Sequence, residues 1–252
     1  MINTKDNKGS NLSLWLLIFG IAFAFFHIMP AFLNYNIKNN IRAAELFDFF
    51  TPFFIIFVVF MVYSNIKRAR DSQYIENLKD KTGKIILFLM SIAYIDGHGI
   101  HLSANSLSYL LKEMEGTDIY KLNYLYDEVI SHAIWDGGVI GISLGLIILS
   151  LRLSFKSYSK GMRALTLLGS ACYGFTYTVN GIEGQTVYLT LPAAIIIGVF
   201  IFAILLKTKI KLNQNPVLLF FFCGYLIAII LFIYWGIAHS GFPEFSELGW
   251  IE

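Results

Sequence analysis

The chain has 252 residues, 56 % apolar and 14 % charged, with a formal net charge of +2 and a mean hydropathy of +0.63. That balance excludes an ordinary soluble domain and a disordered chain, and it offers no bulk positive charge for nucleic acid. It describes an integral membrane protein whose first partner is the lipid bilayer.

Seven segments approach or exceed the roughly 20 residues that cross a hydrocarbon core as a helix. They lie near 12–34, 47–66, 84–111, 123–151, 161–180, 186–207 and 216–239. All are rich in Phe, Leu and Ile without the alternation of barrel strands, so helices are expected. The connections are too short for a soluble domain. Residues 1–252 therefore read as one polytopic membrane domain, an all-α bundle of seven transmembrane helices.

The first span follows Lys5 and Lys8. Its apolar run is longer than the 7–15 residues of a signal-peptide core and no small-x-small cleavage pattern ends it, so it reads as a retained helix. His27, in its far half, reads as a hydrogen-bonded helix contact. The basic loop at 67–83 reads as a solvated, topology-setting connection. The third span contains Asp96-Gly97-His98-Gly99-Ile100-His101, and the fourth runs from Asp127 through Glu128 and His132 to Asp136. Beyond Asp136, Gly137, Gly141 and Gly145 form a smooth stripe that reads as close packing within the bundle, with a homo-oligomer contact as the alternative. Asn180, Glu183 and Gln185 form a tight turn between spans five and six. The seventh span has no lysine for a retinal Schiff base, and His239 at its end reads as interfacial. Cys172 and Cys223 lie in separate spans without a CxxC partner, and read as small packed side chains.

With these spans, fifteen of the nineteen lysines and arginines fall on one side. The positive-inside rule then puts the N-terminus in the cytoplasm and the C-terminus outside, as an odd number of spans requires. A multi-pass protein of a prokaryotic plasma membrane is the expectation.

All five histidines then fall towards the outer side. With a helical rise of about 1.5 Å per residue, Asp96 lies roughly 18 Å from the inner end of its span, level with His132 of the next. An ionisable group in a span costs roughly 2.5–3.5 kcal/mol and needs a partner. His98 and His101 are three apart, and Glu128, His132 and Asp136 follow at four-residue spacing, so each set shares a helix face. His98, His101 and His132 make a first shell for a divalent transition metal, with Asp96 behind them to orient a ring nitrogen. Zinc is the first expectation, iron or copper the next.

A zinc so held would activate water, with Glu128 or Asp136 as general base and later proton donor. A site in the outer half of the bilayer is suited to an amphiphilic substrate, so a hydrolase acting on a lipid or lipid-linked amide or ester is expected. A membrane oxidoreductase using iron, copper or haem is the alternative, although the HxxHH and HxxxH boxes of desaturases are absent. A proton-coupled carrier or receptor is the third class. The inner halves of the spans carry almost no ionisable residue, which favours a one-sided site over a transport path.

Overall fold

The computed structural model describes residues 4–33, 35–38, 41–73, 80–156, 158–208, 210–245 and 247–250. Lys79 and Lys209, counted among the topology-setting cations, lie outside the described residues. Helix α1 (Thr4–Ile28) ends in a 3-10 turn (Met29–Phe32), started by Pro30, and leads into a short antiparallel hairpin, β1 (Asn36–Lys38) and β2 (Ile41–Arg42). Helices α2 (Ala43–Asp71) and α3 (Asp80–Leu110) follow. Next, α4 (Asp118–Tyr124) runs through a π-helical stretch, Leu125–Ser131, into α5 (His132–Ser150), forming one rod. Helices α6 (Lys160–Glu183), α7 (Val187–Lys207) and α8 (Pro216–Ala238) complete the bundle.

The fold is therefore an all-α, multi-pass membrane bundle. Among the described residues, six helices are long and apolar enough to cross a membrane: α1, α2, α3, the α4–α5 rod, α7 and α8. Helix α6, expected as the fifth span, is long enough but less apolar, because Thr166, Ser170, Tyr173, Thr176, Tyr177, Thr178 and Asn180 dilute it. The hydroxyls among them are satisfied inside the protein, as hydrocarbon surroundings require. Ser170 donates to the Phe220 carbonyl at 2.8 Å, and Tyr177 to the Thr190 carbonyl at 2.9 Å. Outward-facing Phe53, Phe57, Ile196 and Val199 present the bundle's apolar surface.

Lipid tails are as apolar as leucine, so burial alone does not hold such helices together; close packing and hydrogen bonds do. The contact between α3 and the rod shows this. A Cβ on Gly97 would lie 2.5 Å from the Trp135 backbone nitrogen, and one on Gly138 would lie 2.6 Å from that of Tyr94. Gly141 and Gly145 continue the seam against Met90 and Leu87, whereas Gly137 and Gly99 border open space. Within the chain, α3 thus occupies the Gly141–Gly145 face. Cys172 and Cys223 are free thiols.

At the end away from the hairpin, Arg70 joins three helices. Its Nη1 meets Asp80 Oδ1 at 2.6 Å and donates to the Leu149 carbonyl at 3.3 Å. Asn215 caps α8 and donates to the Ser150 carbonyl at 2.9 Å. At the hairpin end the chain beyond α8 folds back on the bundle: Trp235 Nε1 donates to the Pro243 carbonyl at 3.1 Å, after a turn in which Ser240 has a φ of 55°. His27, His98, His101 and His132, with Asp48, Asp127, Glu128 and Asp136, lie towards this end.

Candidate functional site

A cavity of about 590 Å³ opens at the hairpin end, walled by α1, α2, α3, the rod, α6 and the segment after α8. Its wall includes His27, His101 and His132, the expected catalytic carboxylates Glu128 and Asp136, and Asp48 of α2.

The π-helical stretch shapes the wall. Its i→i+5 turns take up more residues than an α-helix, and such turns recur at functional sites. Asp127, which ideal α-helical spacing turns away from Glu128, is here buried against α3. Ser108 donates to its Oδ2 at 2.8 Å, and Asn123 supports Ser108 at 2.7 Å. Asp127 Oδ1 lies 3.0 Å from His101 Nδ1, and that same nitrogen is 3.3 Å from His132 Nε2. The carboxylate beside it favours a proton on His101 Nδ1, and His132 Nε2 accepts that proton's hydrogen bond, so the proton of a neutral His132 sits on Nδ1. His132 Nδ1 lies against Gly184, where any Cβ would overlap it. Glu128 Oε2 is 4.0 Å from His132 Nε2, and Asp136 Oδ2 accepts a short hydrogen bond from Thr186.

His98 occupies a different place. It is 2 % exposed, its Nδ1 is 3.5 Å from Asp48 Oδ1, and neither ring nitrogen makes a hydrogen bond among the described residues. Its ring packs 4.0 Å from that of Trp135 and 4.7 Å from that of Tyr94, centroid to centroid. The Trp135 ring also contacts those of His27, His101 and His132 at 5.2, 5.8 and 5.5 Å. His27 is the hydrogen-bonded helix contact anticipated. Its Nδ1 lies 2.7 Å from the Phe23 carbonyl, which can only accept, so Nε2 accepts from Tyr94 Oη at 3.1 Å. Both nitrogens of His27 are thereby committed.

Asp96 lies exposed on α3, away from the cavity wall. The His239 ring packs against that of Trp235 at 4.2 Å, centroid to centroid, also off the wall. Glu183 is on the wall and accepts from the Phe245 backbone N–H at 2.8 Å, tying down the segment after α8.

Ligands about 2.0 Å from a tetrahedral zinc lie about 3.3 Å from one another. The His101–His132 separation matches such an edge, but His101 Nδ1 is engaged by Asp127, His98 faces Asp48 among aromatic rings, and Asp96 points elsewhere. Among the described residues, no three His, Cys, Asp or Glu side chains form a group that could hold a metal ion.

Asp48, Trp135, Tyr94 and Thr186 belong to the site, and spacing did not single them out. Asp48 carried a signal: it is a carboxylate within Phe47-Asp48-Phe49-Phe50, at the same end as His27. Trp135 and Tyr94 carried none, being ordinary aromatics of apolar helices. No protein-family model, curated protein or solved structure matches this chain.

Proposed function

We propose that the protein is an integral membrane hydrolase, acting by acid–base chemistry on an amphiphilic ester or amide that enters from the outer side of the bilayer. The observation that carries this reading is the placement of His132 between Glu128 and Asp136 along one cavity wall, with His101 and Asp127 behind it. Asp136, held through one oxygen by Thr186, presents a carboxylate at the wall. Together with Glu128 it serves as the base for an attacking water. The water oxygen forms a bond to the substrate carbonyl carbon, and its proton passes to the carboxylate. The C–O or C–N bond then breaks as the carboxylic acid passes that proton to the leaving group, while the His132 Nδ1–H hydrogen-bonds the oxygen that carries the developing negative charge. Gly184 allows the imidazole to reach this position. No step is routed through a metal.

The test does not require a known substrate. Protein in maltoside micelles is incubated with a membrane lipid extract in H₂¹⁸O, and released carboxylic acids are analysed by mass spectrometry. Hydrolysis places ¹⁸O in the acids, and Asp136→Asn and His132→Ala should abolish the excess. Equal labelling by the wild type and both variants overturns the reading. Labelling lost on chelation and restored by zinc would instead bring His101, His132 and a neighbouring carboxylate together around a metal.

A further inference from the structure

We propose that the cavity opens sideways into the bilayer between the hairpin ends of α1 and α6, and that it takes lipids whose hydrocarbon chain stays in that opening. This rests on the cavity being the substrate site. On α6, Ala164, Leu168 and Phe175 are exposed at spacings of four and seven residues, which is a single helix face. That face is apolar and turned to the bilayer, and Val179 continues it four residues on. Phe175, 50 % exposed, and Val179 both line the cavity. On α1, Leu14, Ile21 and Phe25 make the corresponding outward face, again at spacings of seven and four. Ile28 continues it three residues on, and Phe32 follows in the 3-10 turn, 67 % exposed. These two also line the cavity. Residues that continue a bilayer-facing stripe and wall the cavity at the same time mark where the wall is breached towards lipid.

The helix crossing explains why the breach lies there. A Cβ on Gly20 would overlap the Gly169 carbonyl oxygen, and one on Gly169 would lie 2.7 Å from that of Leu16, so α1 and α6 touch backbone to backbone. Helices that cross at one point part on either side of it. The Phe23 and Tyr173 rings, 5.1 Å apart, fill the first turn beyond the crossing. Ile28 is eight residues past Gly20, about 12 Å further along the axis, where Pro30 then ends α1 while α6 runs on to Glu183. The opening is thus apolar, whereas His132, Glu128 and Asp136 line the cavity inside it. That order suits a lipid with its ester or amide at the polar wall and its chain in the gap. A cavity of about 590 Å³ is of small-molecule size, so a whole two-chain lipid does not fit. Bringing a chain of about twelve carbons through water would cost roughly 10 kcal/mol at about 0.8 kcal/mol per CH₂; the side opening avoids that cost. Phe175 and Val179 are then the residues that decide which chains pass.

The test is photo-crosslinking of the full chain in phosphatidylcholine nanodiscs with a long-chain monoacylglycerol that carries a diazirine next to its acyl carbonyl. Irradiation should place adducts on His132 and Asp136, whose side chains are 12 % exposed and buried, out of reach of lipid that merely surrounds the bundle. Val179→Trp fills the opening and should cut this labelling at least about ten-fold. Leu168→Trp, on the same face but off the wall, should leave it unchanged. Phe175→Ala removes bulk at the opening and should raise it, so the test does not rest on the tryptophan variant folding. Adducts confined to outward-facing residues such as Leu168 overturn the inference, as does wall labelling that neither Val179→Trp nor Phe175→Ala changes. Wall adducts without ¹⁸O incorporation uphold the opening and remove the hydrolase. Conversely, ¹⁸O in the butyrate released from a water-soluble butyrate ester, with no wall adducts from the long-chain probe, keeps the hydrolase and removes the opening.

Discussion

Replacing Gly97 by alanine tests whether the site depends on the backbone contact between α3 and the rod. The new Cβ would lie 2.5 Å from the Trp135 nitrogen and 2.7 Å from its Cα. Ordinary contact is about 3.5 Å, so the two helices must part by about 1 Å. One turn along the same seam, His101 Nδ1 and His132 Nε2 are 3.3 Å apart, and that parting carries them beyond hydrogen-bond range. Overpacking costs about 1–3 kcal/mol and the lost hydrogen bond about 1 kcal/mol more, against a gain of up to about 1 kcal/mol in helix propensity. A net loss of about 2 kcal/mol lowers the melting temperature by roughly 4–8 °C. Gly99→Ala is the internal control: it lies two residues away on the same helix, with nothing within 4 Å of its Cβ position. It should melt at or slightly above the wild-type temperature. Tryptophan fluorescence during heating, together with the ¹⁸O assay, reads both effects. Equal melting temperatures and equal activities for the two variants would refute the argument that Gly97 sets the spacing of the site.

Other perturbations address single contacts. Thr186→Val keeps the side-chain shape but removes the hydroxyl that Asp136 accepts from; activity should fall by about 10²-fold and stability by about 1–3 kcal/mol, and a fully active variant would show that this bond does not position the carboxylate. Tyr94→Phe leaves His27 Nε2 without the hydroxyl now 3.1 Å away, so thermal unfolding should report a loss of about 1–3 kcal/mol; no change would mean that the ring, not the hydroxyl, does the work. Glu247→Cys, in a background with both native cysteines replaced by alanine, should react with a membrane-impermeant thiol reagent applied to intact cells; reaction only after lysis would reverse the orientation.

Much of the site was legible before any folding was considered. Ionisable residues inside apolar segments are few, and positive-side counting placed the histidines, Glu128 and Asp136 at one end, the end where the cavity opens. Helical spacing put Glu128, His132 and Asp136 on one face, and all three reach the wall. What spacing could not supply was the rotation of the chain about its own axis where the helix is not ideal. The π-helical stretch at Leu125–Ser131 turns Asp127 onto His101, a partner that 3.6-residue periodicity assigns to neither of them. The same periodicity groups His98 with His101, yet His98 lies against Asp48, Tyr94 and Trp135.

The sequence alone determined the solvent of this protein, its helices and the end of the bundle that holds its histidines, because the cost of polar groups in hydrocarbon acts on each segment separately. It also limited the close-packed seam to glycine positions, but not which ones: Gly97 and Gly138 meet the neighbouring backbone, while Gly99 and Gly137, adjacent or nearly so in sequence, do not. Tertiary structure decided which helices meet, that α6 supports its hydroxyl-rich face against α7 and α8, and that Asp48, Trp135 and Thr186 join residues distant in sequence. These choices follow from packing and hydrogen bonding between helices, where a shift of about 1 Å or a single extra residue per turn changes every partner.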